Sequence, residues 1–155
     1  LVMDAEKLEF EDSSFDVVIS RNLTWNLENP VQAYKEWFRV LKTDGILLNF
    51  DANWYGYLYD EEKRMAYEKD RENVERSQLD DHYLCTDIDR MEEIAKKVPL
   101  SAKNRPGWDV EVLKEIGFTE IRTDESIWQS VWSEEERLNY ASTPMFLVSG
   151  QKGEN

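Results

Sequence analysis

A short β-branched run, a proline-led helix and a second apolar run follow one another in the first fifty residues, and that order leaves few folds open. Phe15-Asp16-Val17-Val18-Ile19-Ser20 is too short for a helix and reads as a buried strand. Asn29-Pro30 opens a helix, with Asn as the N-cap and Pro at the first helical position, where its missing N–H costs nothing. Ala33, Tyr34, Trp37, Phe38 and Leu41 recur at helical spacing and form one apolar face. Lys42 in the last turn and Gly45 just beyond it predict where the helix ends. Ile46-Leu47-Leu48-Asn49-Phe50 is a second buried strand. Strand, helix and strand in this order form a βαβ crossover, which implies a parallel sheet and a right-handed connection.

The middle of the chain has another character. Between Asp60 and Arg76 lie seven acidic and five basic side chains, with Met65, Tyr67 and Val74 as sparse apolar positions. This predicts a long, mostly solvated helix, with Glu72 and Arg76 paired one turn apart. Thr86-x-x-Asp89 resembles a capping box opening a second helix, lined by Ile88, Met91, Ile94, Ala95 and Val98. The region 57–107 therefore reads as a helical insertion within one domain spanning 1–155. The last third returns to α/β. Asp109 is expected to cap a short helix that Gly117 stops, and a strand is expected over 118–128. Ser133-x-x-Glu136 is a second capping-box match, and Met145-Phe146-Leu147-Val148 is a strand followed by a polar tail.

Composition removes several function classes. The 155 residues carry 33 Asp and Glu against 19 Lys and Arg, a formal charge of −14. A phosphate backbone or an anionic membrane would repel such a surface, so neither nucleic acid nor membrane is expected as a partner. Hydrophobic residues at 41%, with 12% aromatic, are enough to build a core despite 34% charged residues. Cys85 is the one cysteine, which excludes an intramolecular disulfide and fits a reducing, cytoplasmic setting. His82 and Cys85 are spaced HxxC, but they are the only His and Cys, short of a zinc set, so no metal site is expected. Nothing resembles GxSxG.

The positions with chemistry to offer lie just after the two strands. In open parallel sheets, ligands bind beyond the carboxyl ends of the strands. Ser20-Arg21-Asn22 follows the first strand and Asp51-Ala52-Asn53-Trp54-Tyr55 the second, and both bring polar and aromatic groups to one sheet edge. The same Asn and Asp residues also suit plain turns. Trp25, Trp54 and Trp108 stand beside loop signals, as pocket walls or as core.

Three blocks resemble the class I S-adenosylmethionine-dependent methyltransferases, in the branch of ubiquinone-biosynthesis and related small-molecule enzymes. They are Asp4-Ala5-Glu6-Lys7-Leu8-Glu9-Phe10, Ser14 to Ser20, and Val40-Leu41-Lys42-Thr43-Asp44-Gly45 with the strand after it. Their order and spacing agree over the first fifty residues. Thr43-Asp44-Gly45 stands where the family usually has Pro-Gly-Gly. The resemblance implies a Rossmann-like sheet, mostly parallel, with an antiparallel C-terminal strand. It implies S-adenosylmethionine as cofactor and a small-molecule methyl acceptor. Asp4 would receive the adenine amine and the Ala5 N–H would face a ring nitrogen. Ser20, Arg21 and Asn22 would line the methionine end. Trp25, Asp51, Tyr55 and Tyr57 are the substrate-side candidates, and the insertion at 57–107 lies where such enzymes place a lid.

No glycine precedes Gly45, so the family's glycine-rich turn and the acidic residue that meets the ribose would fall ahead of Asp4. The expectation is a sheet lacking its first strands, a chain that binds cofactor poorly by itself, and self-association through the exposed strand at 15–20. The competing reading is a non-catalytic domain of the same fold whose acidic surface binds a basic partner. A nicotinamide-dependent oxidoreductase of related topology fits the C-terminal end less well.

Overall fold

In the computed structural model, which describes residues 1–154, the βαβ unit forms as its sequence implies. Strand β1 (Phe15–Arg21) leads to helix α1 (Pro30–Val40) and strand β2 (Leu41–Asp51). The Asn29 side chain accepts from Gln32 N, and Pro30 occupies the first turn. The helix stops earlier than Lys42 and Gly45 suggested. Leu41 is already extended and pairs with Phe15, whereas the next partners are Val17 and Ile46. Residues 42–45 are looped out of the parallel ladder, with Asp44 at φ 63°. The α1 C-terminus is closed by a distant residue instead: Lys152, almost fully buried, donates from Nζ to Leu41 O at 2.7 Å and Arg39 O at 3.3 Å.

Helices α2 (Glu61–Arg76) and α3 (Ile88–Ala95) come next, followed by α4 (Gly107–Ile116), β3 (Phe118–Asp124), the short α5 (Trp128–Val131) and α6 (Glu134–Asn139), and β4 (Phe146–Lys152). The Ser133–Glu136 capping box is present in both directions. Two caps differ from expectation. Asp87 rather than Thr86 accepts from Arg90 N at the start of α3. Asp109 lies inside α4, fully buried, because a tertiary ion pair claims its carboxylate. Strand β3 ends at Asp124, and β4 continues through the presumed tail to Lys152 because alternate residues reach the core.

The sheet order is β1-β2-β4-β3. β1 and β2 are parallel, and β4 is antiparallel to both β2 and β3. Three strands thus run one way and the last runs against them. Helices α1 and α4 cover one face through Tyr34, Trp37 and Leu113, packed on Leu47, Phe118 and Val148. Buried apolar area of this kind is the main stabilising term. The segment before β1 is tied to α1: Glu36 accepts from Leu8 N at 2.9 Å, and Arg39 donates to Leu8 O and Phe10 O.

The opposite face is bare. Val17, Ile19 and Ile46 are 45%, 67% and 42% exposed, and among the described residues no strand pairs with the outer edge of β1. An unpaired apolar edge is a template for another chain. Association that rises with concentration is therefore expected, and Ile19→Lys should weaken it about tenfold, equivalent to about 1.4 kcal/mol. Sedimentation equilibrium checks this, and a strictly monomeric parent chain would overturn it.

Candidate functional site

The carboxyl ends of β1 and β2 open into a cleft of about 390 Å³. Its walls come from four separated segments: Asn22 and Trp25 after β1, Trp54 and Tyr55 after β2, His82 to Met91 in the 57–107 region, and Trp132 to Tyr140 around α6. Tyr140 is the hub. Trp54 meets it edge-on at 5.2 Å, Trp132 lies at 5.8 Å, Tyr83 at 6.0 Å and His82 at 5.4 Å between ring centroids. His82 Nδ1 and the Tyr140 hydroxyl are hydrogen-bonded at 2.8 Å. Trp25 and Tyr55 form a second pair at 5.4 Å. Burial pushes the Tyr55, Tyr83 and Tyr140 phenols above their usual range, so they remain neutral donors at physiological pH.

Helix α2 is held against this wall by polar contacts. Arg71 on α2 bonds the Asn139 carbonyl and pairs with Asp81 at 2.8 Å, and Asp70 accepts from Ser142 N at 2.7 Å. Arg64 and Glu92 join α2 to α3 at 3.1 Å.

Beneath the cleft lies a closed polar circuit. Arg105, 4% exposed, donates to Asp51 at 2.7 Å and to both oxygens of Asp109. Tyr34 Oη donates to Asp109 at 2.6 Å and accepts from Asn49, whose carbonyl oxygen accepts from Thr24. Asp51 Oδ2 also accepts from Trp25 N at 2.8 Å. The circuit therefore starts at Thr24 and ends at Trp25, fixing the turn that carries the Trp25 ring. Burial pushes the Tyr34 phenol up and raises the Asp51 carboxyl against the opposing pull of Arg105.

The sequence-derived candidates separate into groups. Asn22, Trp25 and Tyr55 share the cleft. Asn22 sits at φ 53°, a left-handed conformation that Asn tolerates, and its carbonyl accepts from Trp25 Nε1 at 3.2 Å. Arg21 stands at the rim, 3.3 Å from Glu136. Ser20 is buried, and its Oγ has no hydrogen-bond partner among the described residues. Asp4 and Ala5 do not line the cleft; Asp4 Oδ1 accepts from Glu6 N at 2.9 Å, and Ala5 packs against the core. Asp51, a substrate-side candidate, lies beneath the cleft, 0% exposed, with Arg105, Trp25 N and Ala52 N on its oxygens. Tyr57, another, lies outside the cleft lining. It is buried, stacked on Tyr67 at 4.1 Å, and lines a neighbouring cleft of about 290 Å³. Trp108 packs beside Tyr34 against the core. Tyr83, Trp132, Tyr140 and the placement of His82 had no local signal, because their proximity exists only in the tertiary fold.

A mixed sheet with this order, and a cleft at the carboxyl ends of its parallel pair, define a Rossmann-like methyltransferase architecture. Residues 1–49 match the family model described as a methyltransferase domain. An uncharacterized protein of Haemophilus influenzae is 47% identical over 57 residues, covering 34% of this chain and 22% of that protein. The Haemonchus contortus phosphoethanolamine N-methyltransferase 2, in complex with phosphomonomethylethanolamine and S-adenosylhomocysteine, superposes with TM-score 0.57 at 16% identity, over 99% of this chain and 37% of that one. A SAM-dependent methyltransferase of Thermotoga maritima superposes with TM-score 0.57 at 20% identity, over 98% and 62%. The chain spans about a fifth of its curated relative and between 34% and 76% of the solved chains. Its sequence over residues 1–49 is similar to that methyltransferase-domain model, and its fold throughout is similar to that of the solved methyltransferases.

Proposed function

We propose that this chain forms the acceptor side and part of the cofactor side of an enzyme that transfers a methyl group from S-adenosylmethionine to a small molecule. The observation that carries the reading is the cleft at the carboxyl ends of β1 and β2, where Asn22, Trp25 and Tyr55 converge. Open parallel sheets bind ligands at that edge. The residues present fit the cofactor. Asp4 Oδ2 and Ala5 N have no partner among the described residues and suit the adenine edge, and the orphaned Ser20 Oγ lies near the end of β1. Such a buried orphan is uncommon in a finished structure.

The bound cofactor would supply an activated methyl on a sulfonium, so the protein's task is placement. Holding acceptor and methyl in line supplies much of the rate. The circuit from Thr24 to Trp25 fixes one wall, and the aromatic cluster around Tyr140 forms the other. The 57–107 region, as a lid, contributes His82 and Tyr83 to that wall.

Calorimetry with S-adenosylhomocysteine tests the assignment. We expect binding that Asn22→Ala weakens. Absence of binding overturns the reading.

A further inference from the structure

We propose that the cleft around Tyr140 recognises an organic ammonium ion, the conjugate acid of an amine acceptor whose nitrogen must lose its proton to water before its lone pair can take a methyl group. This rests on the cleft being the acceptor side of the enzyme proposed above. Its lining holds six aromatic rings, those of Trp25, Trp54, Tyr55, Tyr83, Trp132 and Tyr140. Among the described lining residues there is no lysine or arginine, and the one carboxylate is that of Glu136. Arg21 at the rim is already paired with Glu136 at 3.3 Å, so an anionic ligand would have to compete with that carboxylate. A cation is attracted to ring faces, which carry negative potential, strongest for tryptophan; of these rings Tyr83 already carries the Arg71 guanidinium at 4.3 Å. The Met91 thioether adds a soft, polarisable surface.

Two further details point the same way. Glu136 is only partly neutralised: its pair with Arg21 at 3.3 Å is half-exposed on the arginine side, and exposed pairs contribute little. Glu135 adds a second carboxylate nearby, 3.9 Å from His82 Nε2.

The test compares choline with 3,3-dimethylbutan-1-ol, which has the same shape with carbon in place of the charged nitrogen. Each is titrated into residues 1–155, following the upfield shift of its methyl protons in the ring currents of the cleft. We expect choline to bind at least about tenfold more tightly than the neutral analogue. Glu136→Gln keeps the capping-box geometry and should weaken choline alone. Trp54→Leu should weaken both, with the fold checked by circular dichroism. Equal binding of the two probes, marking a merely apolar cleft, overturns the proposal, and so does the absence of a shift with either. Neither readout involves S-adenosylmethionine, so failure here is separable from failure of the cofactor assignment.

Discussion

Arg105→Leu is expected to destabilise the fold by about 4 kcal/mol at neutral pH, because it leaves buried carboxylates without their cation. Arg105 is the one guanidinium between Asp51 and Asp109, and both carboxylates are 0% exposed. The loss should depend on pH in a defined direction. Burial already raises the Asp51 carboxyl, with Arg105 opposing it, so removing Arg105 raises it further. A carboxyl raised in the folded state holds its proton more tightly there than in the unfolded chain. Its favourable contribution is complete below the ordinary carboxylate range and is lost as pH rises through the folded value. The gap between variant and parent should therefore shrink as pH falls from 7 towards 5. Urea titrations at both pH values measure it. A deficit below about 1 kcal/mol, or one that does not change with pH, would show that the circuit tolerates an uncompensated charge. Arg105→Lys should recover little, since one ammonium cannot reproduce a planar fork shared between two carboxylates.

This network also shows why the fold was more legible than the site. Strand β1, helix α1 and the Ser133–Glu136 cap are encoded by neighbours: a β-branched run, Asn before Pro, Ser three before Glu. Local signals suffice where the deciding interaction is local. Asp109 has the same local appearance as a helix cap, yet its carboxylate is taken by Arg105 four residues earlier and by Tyr34 seventy-five residues away. Asp51 looks like a polar group at a strand end and becomes a support because Arg105, fifty-four residues on, reaches it. Lys152 reads as part of a polar tail, but the α1 carbonyls draw its ammonium inward. The cleft follows the same rule. Trp25, Trp54 and Tyr55 sit after strands where a ligand edge is expected, whereas Tyr83, Trp132 and Tyr140 arrive through the packing of the 57–107 region and α6. No period or motif in the chain encodes that meeting.

Gly45→Ala is expected to cost about 2–3 kcal/mol and to loosen β1 from β2. As a helix stop, Gly45 would tolerate alanine unless its φ were positive, and it is not among the residues with positive φ. Its reason is space. A Cβ there would lie 2.8 Å from Lys42 O, 3.0 Å from Leu41 Cδ2 and 3.2 Å from Asp16 O. Two of the three neighbours are backbone, so relief requires the looped segment 42–45 to move away from β1. The parallel register from Val17–Ile46 to Arg21–Phe50 begins directly beyond that point, and the cleft residue Asn22 hangs from its far end through a bond to Phe50 O. Strain at Gly45 should therefore pass along β1 into the cleft wall. Gly107→Ala is the matched control. Nothing lies within 4 Å of its added Cβ, it opens helix α4, and alanine there should be neutral or stabilise by up to about 1 kcal/mol. Amide exchange distinguishes the mechanism from a general loss of stability. In Gly45→Ala, protection should fall first at Val17 to Ser20, while Val148 and Gly150 in the antiparallel part keep theirs. Equal loss in both parts, or equal effects of the two glycine variants, would place the cost elsewhere.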